Sequence, residues 1–244
     1  MRDKSKENGT MEYLQKSRLS QNQLKAVAAI AMLLDHVGAE LFPEVILLRI
    51  IGRLAFPIFS YFIYEGFYYT RNRKRYFLRT FLLGLVCVAA YYLYSGEMYG
   101  NVLITFSLSM VVLYGLETGW RYGSGTGRFR LFGVVYTVLC IAAVLFINAR
   151  FPVDYGLLGI LLPAFAELAG VWNGKRNHRS SITGFAGGLL LLSVHMGGIQ
   201  CFSLLAVPLL LAYNGRRGEA DLKRFFYWFY PVHLAAIGSI SMLI

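Results

Sequence analysis

Long apolar runs, each closed off by charged residues, constrain this chain more than any other feature. A bilayer core of about 30 Å is crossed by about 20 apolar residues in a helix. Such runs recur near 25–43, 46–69, 76–95, 101–118, 131–148, 155–172, 181–196, 199–213 and 225–243. The spacing predicts an all-α, polytopic transmembrane helix bundle of about nine spans. A single transmembrane domain over 25–244 is expected to follow a cytosolic N-terminal arm over 1–24. The runs at 181–196 and 199–213 are short and fit either a re-entrant pair or one broken element. Hydrophobic residues make up 57% of the chain and charged residues 15%. Soluble domains sit near 45–50% and about 25%, so little sequence is left for a soluble domain. The first 25 residues are polar and hold no apolar stretch of a cleavable signal, so none is expected there.

A net charge of +11 invites a nucleic-acid reading, but the distribution of that charge excludes it. Arg2, Lys4, Lys6, Lys16, Arg18 and Lys25 precede the first run. Arg71, Arg73, Lys74, Arg75 and Arg79 follow the second, and Arg121, Arg128 and Arg130 follow the fourth. Lys175, Arg176 and Arg179 follow the sixth, and Arg216, Arg217, Lys223 and Arg224 follow the eighth. The opposite loops carry Glu40, Glu44, Glu97 and Asp154, with Arg150 as their basic residue. This alternation is the positive-inside pattern. It predicts a multi-pass protein of the plasma membrane with its N-terminus inside and its C-terminus outside, partnered by the lipid bilayer and not by nucleic acid. Cys87, Cys140 and Cys201 are scattered through apolar runs without a Cys-x-x-Cys pair, so no disulfide framework or metal site is expected. Gly123, Gly125 and Gly127 read as a flexible linker, since no Gly-Lys-Ser/Thr follows them.

Ionisable side chains inside these runs are the functional clue. An Arg, Lys or Asp at the centre of a membrane helix costs roughly 2.5–3.5 kcal/mol on insertion scales. Asp35, His36, Arg49, Arg53, Glu65 and His233 all fall within apolar runs, so they are expected to face one another or a wet cavity. At 1.5 Å per residue, His36 lies about 16 Å beyond Lys25, near the midplane. Arg49 and Arg53 are one turn apart on one face, with Arg53 roughly 10 Å from the outer surface. Tyr230 and His233 enter the same layer from the last span.

Adjacent Asp35 and His36 diverge by about 100° on a helix. Asp35 is therefore expected to pair with Arg53 or Arg49 across the interface, leaving His36 free to face a cavity. Competing structural readings stand beside these. Arg49 sits near a helix end and could snorkel to the surface. Glu65 could meet Arg71 or Arg73 in a salt bridge, and His233 could be a core histidine bonded to a carbonyl. His178 and His195 are near or in loops and are read as non-functional. A midplane histidine suits acid–base work, and neighbouring arginines can hold an anionic donor or polarise a carbonyl. The combination points to group transfer from an activated donor that enters from inside.

The segments LKAVAAIAMLLDHVGAELFP and LLRIIGRLAFPIFSYFIYEGFYYTRNRKRYFLR resemble the TraX family, as do YGNVLITFSL, DYGLLGILLP and LAYNGRRG followed by KRFFYWFYPVHLAAI. The likeness runs in order from about residue 20 to the C-terminus. It implies an integral membrane acyltransferase, of O- or N-acetyltransferase type, drawing on acetyl-CoA and acting on a protein, peptide or glycan acceptor. The family's founding member is associated with N-terminal acetylation of conjugative pilin. A looser similarity reaches the membrane acyltransferases that modify surface carbohydrates. Those carry a basic residue and a histidine with ten residues between them on the first helix, as Lys25 and His36 have here, with Lys replacing Arg. Glu65-Gly66-Phe67 resembles their Ser-Gly-Phe segment, with Glu replacing Ser. On this reading His36 is the base, and Arg53 with Arg49 orients the donor or stabilises oxyanion charge. Asp35, Tyr230, His233 and Glu65 complete the catalytic candidates. Lys25, Arg71, Arg73 and Arg75 are the candidates for the donor's phosphates. A transporter that uses the same polar layer, and a non-enzymatic assembly scaffold, are the alternatives. The lack of an internal repeat weighs against the transporter.

Overall fold

A computed structural model describes residues 19–123, 125, 127–172, 175–219 and 222–243. The basic arm as far as Arg18, and Ser124 and Thr126 of the glycine linker, lie outside the described residues. The helices are α1 (Gln21–Glu40), α2 (Ile46–Gly52), α3 (Ala55–Tyr69), α4 (Arg73–Ser95), α5 (Val102–Gly123), α6 (Arg128–Arg150) and α7 (Gly156–Gly170). A two-residue antiparallel pair, β1 (Val171–Trp172) and β2 (Lys175–Arg176), leads into α8 (His178–Met196). A 3₁₀ run over Gly198–Leu205, α9 (Ala206–Leu211) and α10 (Lys223–Ser241) follow. Among the described residues, four helical stretches are long and apolar enough to cross a membrane: Ile46–Tyr69, Arg73–Ser95, Val102–Gly123 and Arg128–Arg150. The protein is a membrane protein built as a helical bundle.

The chain divides into two compact units. Among the described residues, one runs from 19 to 58 and from 202 to the end of the last helix, and the other lies within 59–201. In the first unit α1 starts earlier than its apolar run because its donors are satisfied upstream. Ser20 and Gln23 form a reciprocal capping box. The amides of Gln21 and Asn22 donate to the carbonyls of Arg216 and Arg217 at 2.9 and 3.1 Å. Leu19 exchanges bonds with Ala212 and Asn214. The LAYNGRRG segment thus cradles the start of α1.

The run at 46–69 is broken at Arg53–Leu54, and its helix continues unbroken through Gly66. Pro57 explains the position of the break. Proline offers no N–H to the carbonyl four residues back, and its ring crowds that carbonyl, which here belongs to Arg53. The short runs at 181–196 and 199–213 are separate elements. They part at Gly197 and Gly198, both in the left-handed region with φ of 68° and 54°, where a side chain would be strained.

In the second unit, Val88, Ile104, Leu108, Val112, Val144, Val153, Ile160 and Ala164 form the core. The loops before α5 and α7 lock together through Gly100 N–H to Pro152 O and Asp154 N–H to Gly100 O, at 2.9 and 2.8 Å. Thr105 Oγ1 adds a bond to Asp154 O at 2.8 Å. The two family-like segments that begin at residues 99 and 154 therefore meet. Helices α7 and α8 approach closely because Gly184 and Gly188 lie against Phe165, the small-residue packing common between helices in lipid.

Candidate functional site

The first unit gathers Asp35, His36, Arg49, Arg53, Tyr230 and His233. Arg49 Nη1 lies 2.9 Å from Asp35 Oδ2, and Arg53 Nη2 pairs with Asp35 Oδ1. Arg49 Nη1 also donates to the Asp35 carbonyl at 3.1 Å, and Arg53 Nε donates to the Arg49 carbonyl at 3.3 Å. The break at residue 53 thus leaves a carbonyl and a guanidinium close together at the same helix end. Gly52 makes the room: a Cβ there would overlap the Asp35 side chain. Arg53 is buried and Arg49 half-buried. One carboxylate facing two guanidiniums leaves one net positive charge in a medium where charge is costly. Such a cluster favours an anion or a developing oxyanion beside it.

His36 makes no hydrogen bond with Asp35. Its ring instead meets that of His233, with centroids 5.2 Å apart and planes inclined by 53°. His233 Nδ1 donates to the Phe229 carbonyl at 2.7 Å. A carbonyl only accepts, so the proton of the neutral ring is fixed on Nδ1 and the lone pair on Nε2. That Nε2 is buried with no hydrogen-bond partner among the described residues. Phe229 stacks on His233 at 4.9 Å, and Tyr230 meets it edge-on at 5.7 Å. The carbonyl-bonded histidine expected as a structural alternative is present at Nδ1, while the far nitrogen of the same ring is left for something else. A buried orphan nitrogen beside a second imidazole is costly unless it serves a ligand or a proton.

Glu65 belongs to the second unit. It is buried and lines a small cavity of about 80 Å³ with Tyr61, Tyr64, Tyr68, His178 and Ser181. Tyr61 Oη lies 3.0 Å from His178 Nδ1, and Tyr64 Oη lies 2.9 Å from Ser181 Oγ. Arg73, one expected partner of Glu65, pairs with Glu117. Its Nε donates to the Phe67 carbonyl at 2.8 Å, and its guanidinium sits 4.7 Å from the Phe67 ring centre. Arg121 reaches the same Glu117 at 3.3 Å. Arg73 is thereby tied into the helix packing, while Arg71 and Arg75 are exposed and Lys25 is half-buried at the start of α1.

Sequence reasoning passed over Glu117, Glu167 and the Tyr61–His178 contact. Glu117 stands four residues before Arg121, a spacing that favours an ion pair on a helix. Glu167, 1% exposed in α7, is a lone acid in an apolar run, the same signal that singled out Glu65. Nothing local couples Tyr61 to His178.

A family model described as TraX protein matches residues 20–241. A probable fimbrial assembly protein, FimC of serogroup H1, from Dichelobacter nodosus is 27% identical over 91% of this chain and 96% of its own. Protein TraX of Escherichia coli is 27% identical over 90% of this chain and 86% of its own. An uncharacterised protein of Rickettsia prowazekii is 30% identical over 61% of this chain and 55% of its own. No solved structure matches. The family match runs from just before α1 to the end of α10 and takes in every residue of the arginine–carboxylate–histidine cluster; the chain belongs to the TraX family.

Proposed function

We propose that the protein is an acyltransferase of the plasma membrane. It moves an acetyl group from cytosolic acetyl-CoA to an amine or hydroxyl of a protein, peptide or surface-polymer acceptor. The observation that carries this reading is the contact of two imidazoles, one with a buried and unpartnered Nε2, in the unit that also holds the net-positive Asp35–Arg49–Arg53 cluster. His36 takes the proton from the acceptor N–H or O–H. The acceptor's lone pair attacks the thioester carbonyl carbon, the C–S bond breaks, and the thiolate leaves with the proton returned from the imidazolium. Arg53 and Arg49 stabilise the oxyanion formed on the way. His233 meets the His36 ring, and Tyr230 packs against His233. Asp35 keeps the two guanidiniums in place. Lys25, in the same unit as the cluster, offers a cation for the donor's phosphates. The cytosolic N-terminus and the nine-span count belong to this reading.

The test is incubation of the purified protein with radiolabelled acetyl-CoA and candidate acceptors. The wild type transfers label, and His36→Ala lowers transfer by about 10²–10⁴-fold, the usual span for a lost acid–base group. Full transfer by His36→Ala would remove the assigned base. The fimbrial-assembly name carried by the D. nodosus relative supports a second reading, a non-enzymatic assembly factor. In that case His36 and His233 variants complement surface-filament assembly, and no label moves.

A further inference from the structure

Helices α5 and α6 pack through glycines, and the gap they leave is a groove of about 570 Å³ open to the surroundings. Trp120, Val134 and Val138, each about half-exposed, line it together with Gly119 and Gly123. Thr137 also lines it, but the threonine Oγ1 is bonded to the Gly115 and Gly133 carbonyls at 2.8 Å. The groove wall therefore has little hydrogen-bonding capacity to offer. Arg130 stands at one end, and among the described residues it makes no salt bridge. Glu117, the acid on this stretch of α5, is already held by Arg73 and Arg121.

We propose that this groove binds one acyl chain of an anionic phospholipid, with Arg130 taking the phosphate. Depth supports the choice. The charged end coincides with the last residue of α5 and the first turn of α6, where membrane helices meet the headgroups. Trp120 is the residue type that settles at that boundary. From Arg130 to Val138 the groove follows α6 for about 12 Å, most of the roughly 15 Å of hydrocarbon in one leaflet. An apolar groove of that length, with Arg130 at one end, matches one lipid chain and its phosphate.

The full chain, purified in detergent, is titrated with phosphatidylglycerol and with phosphatidylcholine of the same chains, and binding is read by native mass spectrometry and by the rise in Tm. Phosphatidylglycerol binds more tightly to the wild type. Arg130→Gln reduces that preference about fivefold, the effect of one basic residue near an anionic surface. Gly123→Leu fills the slot and weakens both lipids about tenfold, as expected for two displaced methylenes. A Cβ at Gly123 meets nothing within 4 Å, so this variant folds, and its lipid-free Tm checks that. Equal binding of the two lipids by the wild type, or unchanged binding by both variants, overturns the proposal. So does a dimer that Gly123→Leu disrupts while phosphatidylglycerol binding is unaltered, because the groove would then seat a second copy.

Discussion

Asp35 holds two arginines, and that arrangement fixes what each substitution should do. Asp35→Leu takes the carboxylate away from buried Arg53, and losing one partner of a buried pair costs about 3–5 kcal/mol. Arg53→Met costs less, because Arg49 still faces Asp35 at 2.9 Å. The double variant removes both members of the short pair and is expected to fall below the sum of the singles by about 1–3 kcal/mol. Reversible unfolding of the purified protein in detergent measures all three, and additive costs would show that the pair contributes nothing of its own. This pairing was legible from sequence, because an acid and two bases inside apolar runs have few places to go. Gly52, which clears the space for the carboxylate, was not legible. A glycine in an apolar run carries no mark of the side chain it accommodates. The proton position on His233 was equally hidden, since it depends on a carbonyl four residues away on a helix whose rotamers the sequence does not state.

The helices themselves were nearly all visible as apolar runs, and their ends were not. Ends are decided by caps such as Ser20 and Asn72, whose side chains take the amides of Gln23 and Arg75, and by Pro57, four residues beyond the break at Arg53. Partner choice between helices was also hidden, as Arg73 and Glu117 lie on different helices. Element packing is open to a sharp comparison within α8. Gly184 lies against the Phe165 backbone carbonyl, so Gly184→Ala forces α7 and α8 apart and is expected to cost about 1–3 kcal/mol. Gly187, three residues on, is exposed, and a Cβ there meets nothing within 4 Å. Gly187→Ala is expected to be neutral or to stabilise by up to about 1 kcal/mol, the helix-propensity gain over glycine. Thermal unfolding of the two variants decides the matter, and equal effects would mean the α7–α8 approach is looser than these glycines imply.

At the scale of the whole molecule, the topology in the bilayer is the claim that the loop charges make most directly. If α5 crosses the membrane, the loop at 96–101 and the loop after residue 123 lie on opposite faces. Glu97 sits in the first loop, and Arg121, Arg128 and Arg130 surround the second. The basic end belongs in the cytosol by the positive-inside rule. Single cysteines at these ends test it. Cys201 is exposed, so it is first replaced by Ser, while Cys87 and Cys140 lie partly covered in α4 and α6. In intact cells a membrane-impermeant maleimide is expected to label Glu97→Cys, and to label Arg128→Cys only after the membrane is opened. Both positions are exposed in the fold, so a failure to label reports the bilayer and not burial in protein. The reversed pattern would invert the orientation. Labelling of both residues from one side would mean that α5 does not cross at all, and the apolar run at 101–118 would then have to be read as a helix buried within the protein.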